Sequence, residues 1–335
     1  VTVLFPNPRG TGTLPARPIC SLAIDAEEDF DWDTPVHGTR YSTGCMRHVQ
    51  ELHDIVSAYG LRPTYLLTYP VLEDEDVMCI LDRQLERGRC DVGVQLHPWV
   101  NPPFDPGDGT HASYSGSLTP QSEERKILAL KAKFEERFGH APRIFRAGRY
   151  GLGPRTAGLL ERHGFDIDTS LAPRTDFSPQ GGPDFSDYDY DPFWFGTDRA
   201  LLELPLCRSL VGWGGSIAYP LYRAASRGWL ERLRVPSVLS RLRCAERVTL
   251  SPEGNDAPAM TRLLRHLVGG GQRVVSLSFH SSSLAVGSNP YVQSRADLHE
   301  FYDRLSAVLD MMATKMNFAF HALAEIPALL RVAAQ

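Results

Sequence analysis

Residues 21–32, Ser21-Leu-Ala-Ile-Asp25-Ala-Glu27-Glu28-Asp29-Phe30-Asp31-Trp32, decide how the chain reads: an apolar run of strand character ends in five carboxylates within seven residues. A buried parallel strand reads as a short apolar run, and α/β folds put their chemistry at the C-terminal ends of such strands. A charge run is most often a solvated turn. Here Phe30 and Trp32 alternate with Asp29 and Asp31, which predicts a turn packed against the body whose carboxylates need partners.

On either side of this stretch, strands and helices alternate. After the strand Ile19 to Asp25, Met46, Val49, Leu52, Ile55 and Val56 recur at helical spacing and stop at Gly60. Strands follow at Arg62 to Thr68, Asp91 to His97, Arg143 to Arg146 and Phe165 to Thr169, separated by helices at Asp74 to Arg87, Gln121 to Phe138 and Pro154 to His163. Later come a short strand Leu201 to Leu206, two helices around 219–243, a helix Pro258 to Val268, the strand Arg273 to His280 and a helix Ala296 to Met312. Such alternation predicts a parallel sheet, open or closed into a barrel. The stretch 98–120 is a long loop, and loops of that length inside a domain are usually functional. Residues 171–200 break the rhythm with Pro, Gly, Asp and the aromatics Tyr188, Tyr190, Phe193, Trp194 and Phe195, which serve either as a ring platform for a sugar or as glue for a flap. The four prolines and two glycines of residues 1–18 predict an irregular arm. The remainder, 19–335, reads as one domain with an insertion at about 171–250.

The 335 residues carry 35 basic and 40 acidic side chains, a net charge of -5 without a basic stripe, which argues against nucleic acid as partner. No apolar run approaches the roughly 18 residues of a membrane span, and the prolines stand where a signal peptide would have its apolar core. Six scattered cysteines without a C-x-x-C suit free thiols in a reducing compartment, so the expected location is cytoplasmic.

Three more polar clusters follow expected strands: Gln95-Leu-His97-Pro-Trp99-Val-Asn101, Phe145-Arg146-Ala-Gly-Arg149-Tyr150-Gly151 and Ser278-Phe-His280-Ser-Ser-Ser283. In a parallel barrel all would face the mouth that holds Asp25. Together with Pro63-Thr-Tyr-Leu-Leu, Gly93-Val-Gln-Leu-His97, Gly164-Phe-Asp-Ile-Asp168-Thr-Ser170, Leu204-Pro and Leu277-Ser-Phe-His280, in order and rough spacing, these motifs resemble the polysaccharide deacetylase superfamily over about residues 19–325, and most closely its divergent WalW-type branch.

The resemblance implies a distorted (β/α) barrel of seven or eight parallel strands with an insertion after the fifth. It also implies a hydrolase that removes an N-acetyl group from an amino sugar with the help of a divalent metal, normally zinc. A metal makes water nucleophilic near neutral pH and polarises the amide carbonyl. Carried over residue by residue, Asp25 matches the general base, Arg146 the arginine paired with it, His280 the histidine that protonates the leaving amine and Asp168 the carboxylate that orients that histidine. Glu27 and His97 match metal ligands, with Asn101 where a second histidine is usual. Aligning Gly93 instead puts Gln95 and Trp99 at the two histidine positions, and either way one expected histidine is absent. Trp99, Tyr150 and Trp194 are the candidate substrate-binding aromatics. Two other functions remain open: a metal-free carbohydrate-binding or regulatory protein on the same barrel, and a glycoside hydrolase whose second carboxylate is Asp168 or Glu203. A serine nucleophile is weaker, because Ser281 to Ser283 lack a G-x-S-x-G elbow.

Overall fold

The computed structural model describes residues 4–11, 14–29, 41–105, 113–198, 200–214 and 244–332, with positions 222, 224, 225, 235 and 241 between the last two stretches. Phe30, Asp31 and Trp32 lie outside the described residues, as do 106–112 of the long loop and most of the two helices expected at 219–243.

In chain order the elements are β1 (Arg9–Gly10), β2 (Ile19–Ala26), α1 (Val49–Ser57), β3 (Thr64–Leu67), α2 (Tyr69–Glu73), α3 (Glu75–Glu86), β4 (Asp91–Leu96), α4 (Pro120–Phe138) and β5 (Ile144–Ala147). They continue with α5 (Thr156–Arg162), β6 (Ile167–Asp168), β7 (Phe193–Phe195), β8 (Leu201–Glu203), β9 (Arg208–Val211), β10 (Glu246–Thr249), α6 (Ala257–Gly269), β11 (Val274–His280), α7 (Arg295–Thr314), β12 (Ala319–Phe320) and α8 (Ile326–Val332). Local chemistry sets the longer helices. Thr119 caps α4 by accepting from the Ser122 N–H, and Gly139 ends it with φ of 71°. Ser294 and Asp297 form a reciprocal capping box on α7.

The main sheet runs β1-β7-β8-β6-β5-β4-β3-β2-β11, with β12 also pairing β2. From β8 to β11 all pairings are parallel, which gives seven consecutive parallel strands in a curled sheet. The antiparallel hairpin β9–β10 forms a separate two-stranded sheet tied to β11. The Leu250 N–H donates to the Cys207 carbonyl (2.7 Å), and the Ser278 N–H to the Leu250 carbonyl (3.1 Å). The sequence gives little sign of this hairpin, whose strands are short and partly polar.

Successive strand residues face opposite sides, and this alternation positions the site. Cys20, Leu22, Ile24 and Ala26 join the large core between sheet and helices. Ile19 and Ala23 face a smaller inner cluster with Leu66, Ile144, Ile167, Leu202 and Val274. Asp25 comes next on that inner side, at the C-terminal mouth. By the same count, Gln95 and His97 follow β4 inward, because Val94 and Leu96 belong to the outer core; Arg146 lies between the outer Phe145 and Ala147, and His280 follows the outer Phe279.

The N-terminal arm is more engaged than its prolines suggest. Phe5 is buried, its ring meeting Tyr188, Phe193 and Phe195 edge-on at 5.1–5.4 Å, and β1 pairs antiparallel with β7. All six cysteines are free thiols. No described helix is long and apolar enough to cross a membrane.

The inner face is close-packed at Gly93: an added Cβ would stand 2.8 Å from Ile144 Cβ and 2.9 Å from its carbonyl oxygen. Overpacking of a close-packed core costs about 1–3 kcal/mol. Gly93→Ala is therefore expected to lower the urea midpoint by that amount of stability with an unchanged m-value, and a midpoint equal to wild type would show that the inner face yields freely.

Candidate active site

Four strand ends deliver the site. The Arg146 guanidinium, from β5, forms a buried ion pair with Asp25 of β2 through Nη1 and Oδ1. Its other nitrogens donate to the Thr169 carbonyl (3.1 Å) and to Thr169 Oγ1 (2.9 Å), so each guanidinium nitrogen has a partner. His280 Nε2 lies 3.7 Å from the second Asp25 oxygen, beside it but beyond hydrogen-bond length. On its far side, His280 Nδ1 meets Glu253 Oε2 at 2.9 Å. Glu253 is itself fixed, because its Oε1 accepts from the His280 backbone N–H (2.9 Å) and from Ser283 Oγ.

Glu253, absent from the sequence-derived site, thus stands against His280 Nδ1, where Asp168 was expected. The reason is strand parity. Ile167 of β6 belongs to the inner cluster, so Asp168 faces the opposite side, in register with Glu203 of β8. There Asp168 accepts from Ser170 Oγ, and Glu203 accepts from the Leu171 N–H at 3.0 Å. Burial, followed by the neighbouring Asp168 charge, holds the Glu203 carboxyl well above the ordinary range. Asp168 cannot orient His280 from that face. Glu253 left no clear signal in the sequence: it stands in a Ser-Pro-Glu-Gly turn after a strand that periodicity does not reveal.

A second group adjoins the first. His97 Nδ1 meets Glu28 Oε1 at 2.8 Å, and His97 Nε2 lies 3.5 Å from Glu27 Oε2. Trp99 stacks on the His97 ring (4.2 Å between centroids, 27°) and donates from Nε1 to the same Glu28 oxygen at 3.0 Å. The Glu27 backbone N–H donates to Ser281 Oγ (3.1 Å), which ties this carboxylate to the segment after β11. Burial pushes the Glu27 carboxyl up to about 8, although His280 and His97 pull it down. Burial works against a charge on His97, and Glu28 and Glu27 outweigh it to raise its pKa.

These donors bear on the expected metal. Two ligands at about 2.0–2.2 Å from a tetrahedral ion are roughly 3.4 Å apart, close to the 3.5 Å between Glu27 Oε2 and His97 Nε2. Glu27 Oε1 is buried without a hydrogen-bond partner, and a carboxylate on the far ring nitrogen is the usual support of a metal-bound histidine. Glu27 and His97 therefore fit two positions of a divalent-ion site. Among the described residues no group of three or more His, Cys, Asp or Glu completes it. Asn101 turns its amide nitrogen to the Pro102 and Lys126 carbonyls (2.7 and 3.0 Å), and its Oδ1, the atom a metal would take, is buried without a hydrogen-bond partner. Lys126, from α4, holds this loop by donating from Nζ to the carbonyls of Pro98, Asn101 and Pro103 at 2.7–3.0 Å. Gln95 Oε1 is buried and has no hydrogen-bond partner.

Of the expected substrate-binding aromatics, Trp99 and Tyr150 belong here and Trp194 does not. Arg149 and Tyr150 both adopt positive φ, 53° and 59°, a conformation that non-glycine residues take up only when the surroundings enforce it. The turn lays Tyr150 against the site: burial and then Asp25 raise its hydroxyl pKa, while Arg146 and His280 lower it. The preceding residue must be glycine, since a Cβ on Gly148 would lie 2.4 Å from His97 Cδ2. Trp194 pairs in register with Leu202 and packs on the inner apolar cluster below the mouth.

The sequence matches no family profile and no curated protein. Structural likeness is clear. A crystal structure described as a polysaccharide deacetylase from Mycobacterium smegmatis superposes with a TM-score of 0.56 at 15% identity, over 97% of this chain and 95% of that one. A glycoside hydrolase/deacetylase from Parabacteroides distasonis also gives 0.56 at 15% identity, over 96% and 72%. This chain has the polysaccharide deacetylase fold. PuuE allantoinase shares it as well, with a TM-score of 0.53 at 11% identity over 95% and 92% of the two chains.

Burial would lower the pKa of His280, but Glu253 and then Glu27 reverse this and hold it well above 6.5. A group raised in the folded state contributes stability that is complete below its unfolded pKa and is lost as pH rises through the folded value. In Glu253→Gln the His280 titration, followed by NMR of the imidazole, is expected to move down, and the variant's stability deficit should be larger at pH 6 than at alkaline pH. An unmoved titration would remove Glu253 from its role.

Proposed function

We propose that the chain is a hydrolase of the polysaccharide deacetylase type, which removes an N-acetyl group from an amino sugar. The observation that carries this reading is the line Arg146, Asp25, His280, Glu253, which sets a carboxylate base and a charged imidazole acid side by side at the mouth of a parallel sheet. Water attacks the acetyl carbonyl carbon while Asp25, aimed by Arg146, takes its proton. The carbon–nitrogen bond then breaks as His280, kept charged by Glu253, gives its Nε2 proton to the departing amine, and acetate is left behind. Glu27 and His97 would hold a divalent ion, which when bound supplies Lewis-acid polarisation and eases water deprotonation. Trp99 and Tyr150 offer ring faces to the sugar. The fold neighbours include proteins described as deacetylases, which supports the same reading.

The glycosidase alternative loses support, because Asp168 and Glu203 lie on the outer side of the sheet. The metal-free binding protein is favoured by one observation: among the described residues no third His, Cys, Asp or Glu joins Glu27 and His97.

Acetate release from N-acetylated chitooligosaccharides tests these readings together. Activity is expected to vanish on exhaustive chelation and return with added divalent metal. Asp25→Asn and His280→Ala should each lower kcat by about 10²–10⁴-fold, the usual worth of a positioned acid or base. Glu27→Ala and His97→Ala should not be rescued by metal. Turnover that survives chelation would overturn the metal's part, and sugar binding without acetate release would favour the binding protein.

A further inference from the structure

Tyr150 has, besides Asp25 and His280, a further charged neighbour without a part in that chemistry, Arg208. Arg208 opens β9 in register with Thr249 of β10, four residues before Glu253, so the hairpin that supplies the partner of His280 also carries this arginine. Its Nε donates to Thr249 Oγ1 at 2.9 Å, and Nη1 to Thr175 Oγ1 at 3.3 Å. These neutral hydroxyls fix the half-buried guanidinium without neutralising it, and Nη2 has no protein partner among the described residues. No carboxylate there pairs with Arg208.

The surroundings repeat the pattern. Tyr150, Arg247, Tyr291 and Tyr222 are the electrostatic neighbours of Arg208. Arg247 lies over the Tyr222 ring at 5.1 Å, a second positive charge, and no carboxylate among the described residues pairs with it. Burial, with the Arg247 charge added to it, lowers the Arg208 pKa although Tyr150 opposes this. Arg146 makes the contrast plain. It too neighbours Tyr150, and its charge is met by Asp25. A guanidinium withdrawn from water without a counter-charge is costly, and its planar fork suits carboxylate and phosphate groups. The missing charge is most simply brought by the ligand.

We propose that Arg208 is a specificity-determining residue that binds an anionic group, a carboxylate or a phosphate, borne by the sugar that enters the cleft. This rests on the reading that the cleft takes an N-acetylated amino sugar, and narrows it to acidic or phosphorylated ones. Tyr150 is an electrostatic neighbour of Arg208 as well as of Asp25 and His280, so one sugar could stand over it with its acetamido group at Asp25 and its anion at Arg208.

Calorimetric titration of the full chain with N-acetylglucosamine 6-phosphate, N-acetylmuramic acid and neutral N-acetylglucosamine tests the proposal, with acetate release measured in parallel. At least one anionic sugar is expected to bind at least about tenfold more tightly than the neutral one, the usual worth of a charge-assisted contact, and the preference should shrink as salt rises. The phosphate and carboxylate arms tell which anion is meant. Arg208→Ala should reduce the preference to less than about twofold, and Arg208→Lys should retain part of it. Arg208→Gln keeps a donor toward Thr249 and removes the charge, so it must lose the preference too while its unfolding midpoint stays near wild type. Equal affinity for neutral and anionic sugars, no binding of either anionic sugar, or a preference that persists in the folded Gln variant would overturn the proposal. Anion-selective binding without acetate release would leave Arg208 its role and overturn the deacetylase reading; acetate release without anion preference would do the reverse.

Discussion

The buried pair of Arg146 and Asp25 is the interaction on which the arrangement depends. Each charge is tolerable inside the protein only because of the other, and removing one partner of such a pair typically costs about 3–5 kcal/mol. The pair also spans the sheet, since β2 and β5 are separated by β3 and β4, and Arg146 reaches the loop after β6 through Thr169. Curvature is what allows it. In a flat sheet those strand ends would stand too far apart for one side chain, whereas in a curled one they converge on a common interior. The placement of His280 beside Asp25 then follows from the adjacent register of β11 and β2, where the two residues are direct partners.

Much of this could be read from the residues. Long periodic segments such as α4, and apolar runs such as β2 and β11, announce themselves by spacing, and the polar residue just past each strand could be assigned to a shared mouth. What could not be read was carried by short elements. A two-residue strand such as β6 offers no alternation from which to choose a face, so Asp168 could be placed on either side; only pairing with Glu203 and the inward turn of Ile167 decide it. The β9–β10 hairpin is short, partly polar and separated by more than thirty residues, so nothing local joins its halves, and Glu253 went unseen with it. The Trp194 ring suits a sugar by its chemistry, but depth along the barrel, which sequence does not encode, puts it under the site.

A shared fold leaves function to the site, and here the site has an asymmetry that the fold does not dictate. The acid–base half is complete, with each member held by a partner of its own. The half around Glu27 and His97 has two donors in good relation and a buried, unpartnered carboxylate oxygen. Proteins with this architecture and different described activities superpose on the chain about equally well, so backbone likeness cannot choose between them. Side chains can.

Lys126 shows how the His97 loop keeps its shape. One ammonium gathers the carbonyls of Pro98, Asn101 and Pro103, much as a crown ether wraps a cation, and the loop is folded around a point charge more than around a hydrophobic plug. Tetrahedral chemistry is built into that cradle. Three oxygens converging on one nitrogen match the three protons of lysine and do not match the flat fork of arginine, so a replacement that conserves charge would still unseat the loop. The orientation of an imidazole at the mouth is thereby inherited from the valence geometry of a nitrogen atom on a helix, nearly thirty residues further along the chain.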